Sequence, residues 1–81
     1  MTHEQFYPQV QCDIEEGYPV KLIASDGFKM KVSFAYLDNT GEPYYTCVGI
    51  EGSEFAHISE IMSTDELENF VVNSGFELYE S

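Results

Sequence analysis

The stretch Val20-Lys21-Leu22-Ile23-Ala24-Ser25-Asp26-Gly27-Phe28-Lys29-Met30-Lys31-Val32-Ser33-Phe34-Ala35-Tyr36-Leu37 decides the fold class. Two runs rich in β-branched and aromatic residues, Val20 to Ser25 and Phe28 to Leu37, flank the pair Asp26-Gly27, which suits a tight type I′ hairpin. In the second arm Phe28, Met30, Val32, Phe34 and Tyr36 fall on one face, with Lys29, Lys31 and Ser33 on the other. Side chains alternate across a strand, so one face of this hairpin is core and the other meets water.

Working downstream, Asp38-Asn39-Thr40-Gly41 is a second turn that leads into a third strand, Tyr44 to Ile50. Glu51-Gly52-Ser53 interrupts the pattern. Phe55 to Met62 reads as a fourth strand, although Phe55-Ala56-His57-Ile58 equally fits the opening of a helical turn. Ser63 and Glu66 have the spacing of a capping box, and Met62 and Leu67 that of a hydrophobic staple. Leu67, Phe70 and Val71 share a helical face and Gly75 stands at the stop, which predicts a helix over 63–74. Phe76 and Leu78 suggest a short closing strand. Upstream, residues 1–8 read as a loose start ending at Tyr7-Pro8. The alternation of Val10, Cys12 and Ile14 reads as a strand, broken by Glu15-Glu16-Gly17-Tyr18-Pro19. The expectation is a single α+β domain over 1–81, with a mostly antiparallel sheet of four to six strands and one C-terminal helix packed on a face.

At 81 residues such a domain buries only about 60–65% of its unfolded surface. Roughly 4–8 kcal/mol of stability is then expected, which favours a homodimer that extends the core. No stretch approaches the ~20 apolar residues of a membrane span. The start Met-Thr-His-Glu-Gln lacks the basic and apolar regions of a signal peptide. Cys12 and Cys47 are far apart, with no CxxC, as expected for free thiols in a reducing cytoplasm.

Chemistry-bearing patterns are sparse. Gly-rich phosphate loops, GxSxG and HExxH are absent, and the only histidines are His3 and His57. A Cys47–His57 nucleophile pair is compatible with the sequence, but buried thiols with a strand histidine explain both residues more simply, and with fifteen acids close carboxylate pairs carry no catalytic signal. Glu54 and His57 have the Glu-x-x-His spacing of di-iron bundles, with Glu51 three residues earlier. That chemistry needs a second pair on a facing helix, which the chain lacks. Asp38 to Glu42 is better explained by turn formation than by calcium, since the ligand spacing of a calcium loop is missing. A non-enzymatic protein without cofactor or metal is expected.

Charge is the outstanding feature. Fifteen Asp and Glu face three Lys and no Arg, a net charge of −12. Lys21, Lys29 and Lys31 cluster in one segment, whereas Val32 to Ser81 carries ten carboxylates and no Lys or Arg. Such a balance repels DNA, RNA and anionic membranes. Helix-dipole complementation by Asp65, Glu66 and Glu68, protection of strand edges, and a salt-adapted source each account for part of it. None accounts for fifty consecutive residues without a cation, because ordinary surfaces intersperse both signs. Carboxylates held on a rigid scaffold can take the positions of duplex phosphates before a basic protein. The candidates are Asp38, Glu42, Glu51, Glu54 and Glu60 from the strands and turns, with Asp65, Glu66, Glu68, Glu77 and Glu80 from the helix and tail.

In size, charge and lack of catalytic motifs the chain resembles the small acidic DNA-mimic proteins of bacteriophages and mobile elements. The likeness is one of composition over the whole chain and transfers no individual residue. It implies an inhibitor acting in the cytoplasm of a host bacterium on a basic DNA-binding protein: a nucleoid-associated protein, a restriction or CRISPR effector, a repair glycosylase or RNA polymerase. The alternative is a dimeric adaptor that binds through aromatic surface, with Tyr18, Tyr36, Tyr44, Tyr45 and Tyr79 as its candidates.

Overall fold

A computed structural model describes residues 1–50 and 59–79. The hairpin at the centre of the sequence is the centre of the sheet. Strands β1 (Val20–Ile23), β2 (Lys29–Leu37), β3 (Pro43–Gly49), β4 (Ser59–Ser63) and β5 (Glu77–Leu78) form one antiparallel sheet in the order β4-β3-β2-β1-β5. The architecture is α+β, as the alternation of the central strands predicts.

The turn chemistry differs from expectation in one respect. A type I′ turn needs positive φ at both central residues, and here only Gly27 has it, at φ 94°. Gly27 N–H donates to Ala24 O (3.0 Å) and Ala24 N–H to Phe28 O (2.8 Å), which makes a three-residue loop ending in a glycine bulge. The β2–β3 connection repeats it: Gly41 N–H donates to Asp38 O and Asp38 N–H to Glu42 O.

The β2 faces also change partway. Phe34 pairs with Tyr45, but the next pair is Tyr36 with Tyr44, so two steps along β2 match one along β3. This bulge keeps Phe34 on the core side and turns Tyr36 to the opposite face, where its ring stacks on Tyr44 at 5.2 Å. Tyr36 therefore leaves the face it was expected to share with Met30 and Val32.

The largest correction concerns the N-terminus. Residues 1–8 are not loose, and Val10 to Ile14 is not a strand. Helix α1 (His3–Phe6), a π-helical segment (Tyr7–Gln11) and helix α2 (Cys12–Glu15) run end to end. Thr2 and Gln5 form a reciprocal capping box: Gln5 N–H donates to Thr2 Oγ1, and Thr2 N–H to Gln5 Oε1. Pro8, which cannot donate a backbone hydrogen bond, sits in the first turn of the wider segment, whose end is marked by Cys12 N–H reaching Tyr7 O. The wide turn keeps Phe6, Val10 and Ile14, each four residues apart, on one buried stripe. Gly17, at φ 96°, terminates the helix, with Tyr18 N–H bonded to Asp13 O and Gly17 N–H to Ile14 O.

Helix α3 (Thr64–Asn73) starts at Ser63 through the expected capping box with Glu66. It ends in the same bond pattern as α2, with Phe76 N–H to Val71 O and Gly75 N–H to Val72 O. Both helical elements cover the same sheet face. Phe6, Val10, Ile14, Leu67 and Val71 meet Val20, Leu22, Met30, Val32, Tyr45 and Cys47 in a single core, closed beside β1 by Phe76. Among the described residues no helix lies over the other sheet face.

Phe6→Ala should cost about 3–5 kcal/mol in urea unfolding, because the ring is fully buried under the sheet. Tyr7→Ala, at an exposed neighbour, should stay within about 0.5 kcal/mol. Equal, small effects at both positions would contradict a packed N-terminal helix.

Candidate functional site

The amphipathic requirement on the helical cover sorts its charges. Its inner stripe must be apolar, so every polar residue is pushed outward. On α1 to α2 and the residue that follows, those are Glu4, Asp13, Glu15 and Glu16, all exposed. On α3 they are Asp65, Glu66 and Glu68. The two helical elements contact each other, and His3 Nδ1 lies 2.7 Å from Glu68 Oε2, tying α1 to α3. His3 is the only basic side chain in either element. One side of the protein is thus a layer of carboxylates without Lys or Arg.

The opposite side is its converse. Lys21, opposite Lys31, and Lys29, opposite Ile23, stand on strand positions that alternate with the buried Leu22, Met30 and Val32. All three of the chain's lysines therefore lie on the uncovered sheet face. The net charge of −12 is the sum of two unlike sides.

Several predicted surface carboxylates also have structural partners. Asp38 Oδ1 accepts hydrogen bonds from Thr40 Oγ1 (2.6 Å), Thr40 N–H (2.8 Å) and Glu42 N–H (2.9 Å). The Thr40 hydroxyl, and then the Glu42 amide, hold its carboxyl below the ordinary value while leaving it in solvent. Glu66 closes the α3 capping box, Glu68 meets His3, and the Met1 ammonium binds both Phe76 O and the Glu77 carboxylate. Glu42 and Asp65 are exposed beside turn and cap, and Glu60 is exposed on the edge strand β4. Glu51, Glu54 and Glu80 lie outside the described residues, as does His57.

The carboxylates of the N-terminal helix are absent from the predicted set. Their signal was present: Thr2-His3-Glu4-Gln5 is a capping-box pattern, and Phe6, Val10 and Ile14 have helical spacing. Of the candidate aromatics, Tyr45 is core, Tyr36 and Tyr44 stack on the open face, and the Lys29 ammonium sits 5.0 Å from the Tyr79 ring centroid.

A cavity of about 610 Å³ opens between α3 and the sheet, lined among others by Phe28, Met30, Cys47, Met62, Phe70 and Phe76. Cys47 is its one thiol. Burial, reinforced by the nearby Glu60 charge, pushes that thiol up to about 12, so it stays protonated at neutral pH, the reverse of what a nucleophilic cysteine needs. Cys12 and Cys47 are both free. Among the described residues no group of three or more His, Cys, Asp or Glu is placed to hold a metal, and no helix is long and apolar enough to cross a membrane. Comparison with protein-family models, curated proteins and solved structures finds no match.

Two outcomes are expected. In a Cys12→Ser variant, Cys47 should react with a disulfide reagent at pH 8 far more slowly when native than in urea; equal rates would contradict a buried, protonated thiol. The depressed Asp38 acidity supplies stability that is fully present above the ordinary carboxylate pKa and is lost as pH falls through the lower folded value. Asp38→Asn should flatten the acid limb of the unfolding midpoint below about pH 4, and an unchanged limb would contradict this.

Proposed function

We propose that the protein occupies the nucleic-acid-binding surface of a basic DNA-binding protein, with the carboxylates of its helical layer standing in for phosphates. The observation that carries this reading is the segregation of charge. Seven carboxylates and no Lys or Arg lie on α1, α2, α3 and the residue after α2, while every Lys lies on the far side of the sheet. A surface evolved only for solubility gains nothing from sorting its signs in this way, and mixing them lowers self-repulsion. A surface that meets an array of Lys and Arg gains both steering and contact energy.

The helices are a suitable carrier. Their caps and their shared core with the sheet hold the backbone in place, so the carboxylates are presented with little entropy left to lose. Asp65, Glu4, Asp13 and Glu16 have no structural hydrogen-bond partner among the described side chains and are the contributors of choice. Glu66 and Glu68 serve the cap and the α1–α3 contact as well, so their replacement would mix folding with binding. The adaptor reading keeps one specific support, the Tyr36–Tyr44 stack on the open face, and it predicts binding indifferent to salt.

The test is capture from nuclease-treated bacterial extract on the immobilised protein, eluted with duplex DNA and then with salt. A basic DNA-binding protein released by DNA is expected. The combined variant Glu4→Gln, Asp13→Asn, Glu16→Gln and Asp65→Asn should weaken binding of that protein on the order of tenfold or more with an unchanged circular dichroism spectrum. Capture that resists both eluents, or that survives this variant undiminished, would sink the proposal.

A further inference from the structure

The uncovered sheet face is a second surface of different chemistry. Register places Lys21 directly across from Lys31, Lys31 next to Val48, and Ser33 next to Thr46, which is followed by Ile61. The Tyr36–Tyr44 stack continues the same face beyond the β2 bulge. Lys21 and Lys31 are exposed, and so are Val48 (37%), Tyr36 (47%) and Ile61 (54%).

Two features of this face run against stability. Like charges directly opposed on neighbouring strands repel, at a Cβ separation of about 4.5–5.5 Å. A chain with fifteen carboxylates also had every opportunity to pair its three cations. Among the described residues the ion pairs are Met1–Glu77 and His3–Glu68, and neither uses a lysine. Lys29 lies over the Tyr79 ring, whereas Lys21 and Lys31, with no ion-pair partner among the described residues, stand beside exposed aliphatic and aromatic side chains, the makings of an anion-binding face with apolar anchors.

Total charge selects among anionic occupants. Duplex DNA brings one negative charge per ~1.7 Å and would meet a −12 body at every approach. A second copy of this chain would bring twelve net negative charges of its own. A short acidic segment brings only the few carboxylates that the lysines can neutralise, and its aliphatic side chains can cover Val48 and Ile61. We propose that the open sheet face docks an acidic, aliphatic-bearing peptide segment of another protein, held by Lys21 and Lys31 and anchored on Val48, Ile61 and the Tyr36–Tyr44 stack. The site is independent of the helical layer and leaves it free.

The probe is a fluorescein-labelled peptide in which pairs of Glu alternate with single Leu residues, titrated with the full chain and followed by anisotropy. Binding should weaken with salt, and a Gln-for-Glu version of the peptide should bind roughly tenfold more weakly. The variant Lys21→Gln with Lys31→Gln should lose a similar factor. A control, Gln9→Glu with Asn69→Asp, adds the same net negative charge elsewhere and should lose much less. Ile61→Ser, at an exposed site that spares the fold, should weaken the peptide as well. No binding by the peptide, or equal losses in the lysine variant and the control, would overturn the proposal. Tighter binding of a single-stranded oligonucleotide would replace the peptide with nucleic acid. Lysine-dependent self-association in sedimentation would replace it with a second copy.

Discussion

A five-stranded sheet with one apolar face must have that face covered, and the rest of this protein follows from how the cover is assembled. Five strands span about 19 Å at the usual spacing. Helix α3, at ten residues, is about 15 Å long and supplies only Leu67 and Val71 as fully buried side chains. The deficit is met by the N-terminal helix, whose Phe6, Val10 and Ile14 are buried to within a few per cent. Its widened turn around Pro8 keeps those three in line, so the proline that interrupts the α-helix is compatible with the stripe.

That cover also determines where charge can go. A helix packed on a sheet has its inner side committed to apolar residues, and its outer side is available for whatever the molecule's surface requires. Here the outer sides of both helical elements are anionic, whereas the sheet's own outer side holds all the lysines. The same negative residues divide between scaffold and surface. Asp38 organises a turn, Glu66 caps a helix and Glu68 joins two helices. Asp65 and the N-terminal helix carboxylates contribute mainly field.

The sheet and α3 were legible because their signals are local and agree with one another. Alternation, glycine turns and the Ser63–Glu66 box all point to the same elements. The N-terminal helix is obscured in the sequence because two patterns compete in one stretch. Val10, Cys12 and Ile14 alternate like a strand, and Pro8 argues for a break, whereas the Thr2–Gln5 box and the Phe6–Val10–Ile14 spacing argue for a helix. Tertiary packing decides in favour of the helix, and propensity alone cannot weigh that term. The bulge that turns Tyr36 outward leaves no mark in the alternation of β2, because the residue it inserts, Ala35, is compatible with either face. The acidic surface was legible in amount but not in placement. The sequence shows how many carboxylates exist, and only the helical cover shows that seven of them share a side.

The strand order has a kinetic consequence. β1 to β2 and β2 to β3 join through three-residue loops, so this part of the sheet forms from contacts close in sequence. The docking of α1 against α3 and of β5 against β1 instead joins residues more than fifty positions apart. Closing those long loops costs more chain entropy than closing the short ones, whereas α2 packs on β2 and α3 on β3 and β4 through contacts nearer in sequence. A chain in which the long-range contacts are open exposes apolar surface and strand edges through which copies would ordinarily associate. Twelve net negative charges set such chains against one another in solution, so the charge of the finished surface also acts on open chains.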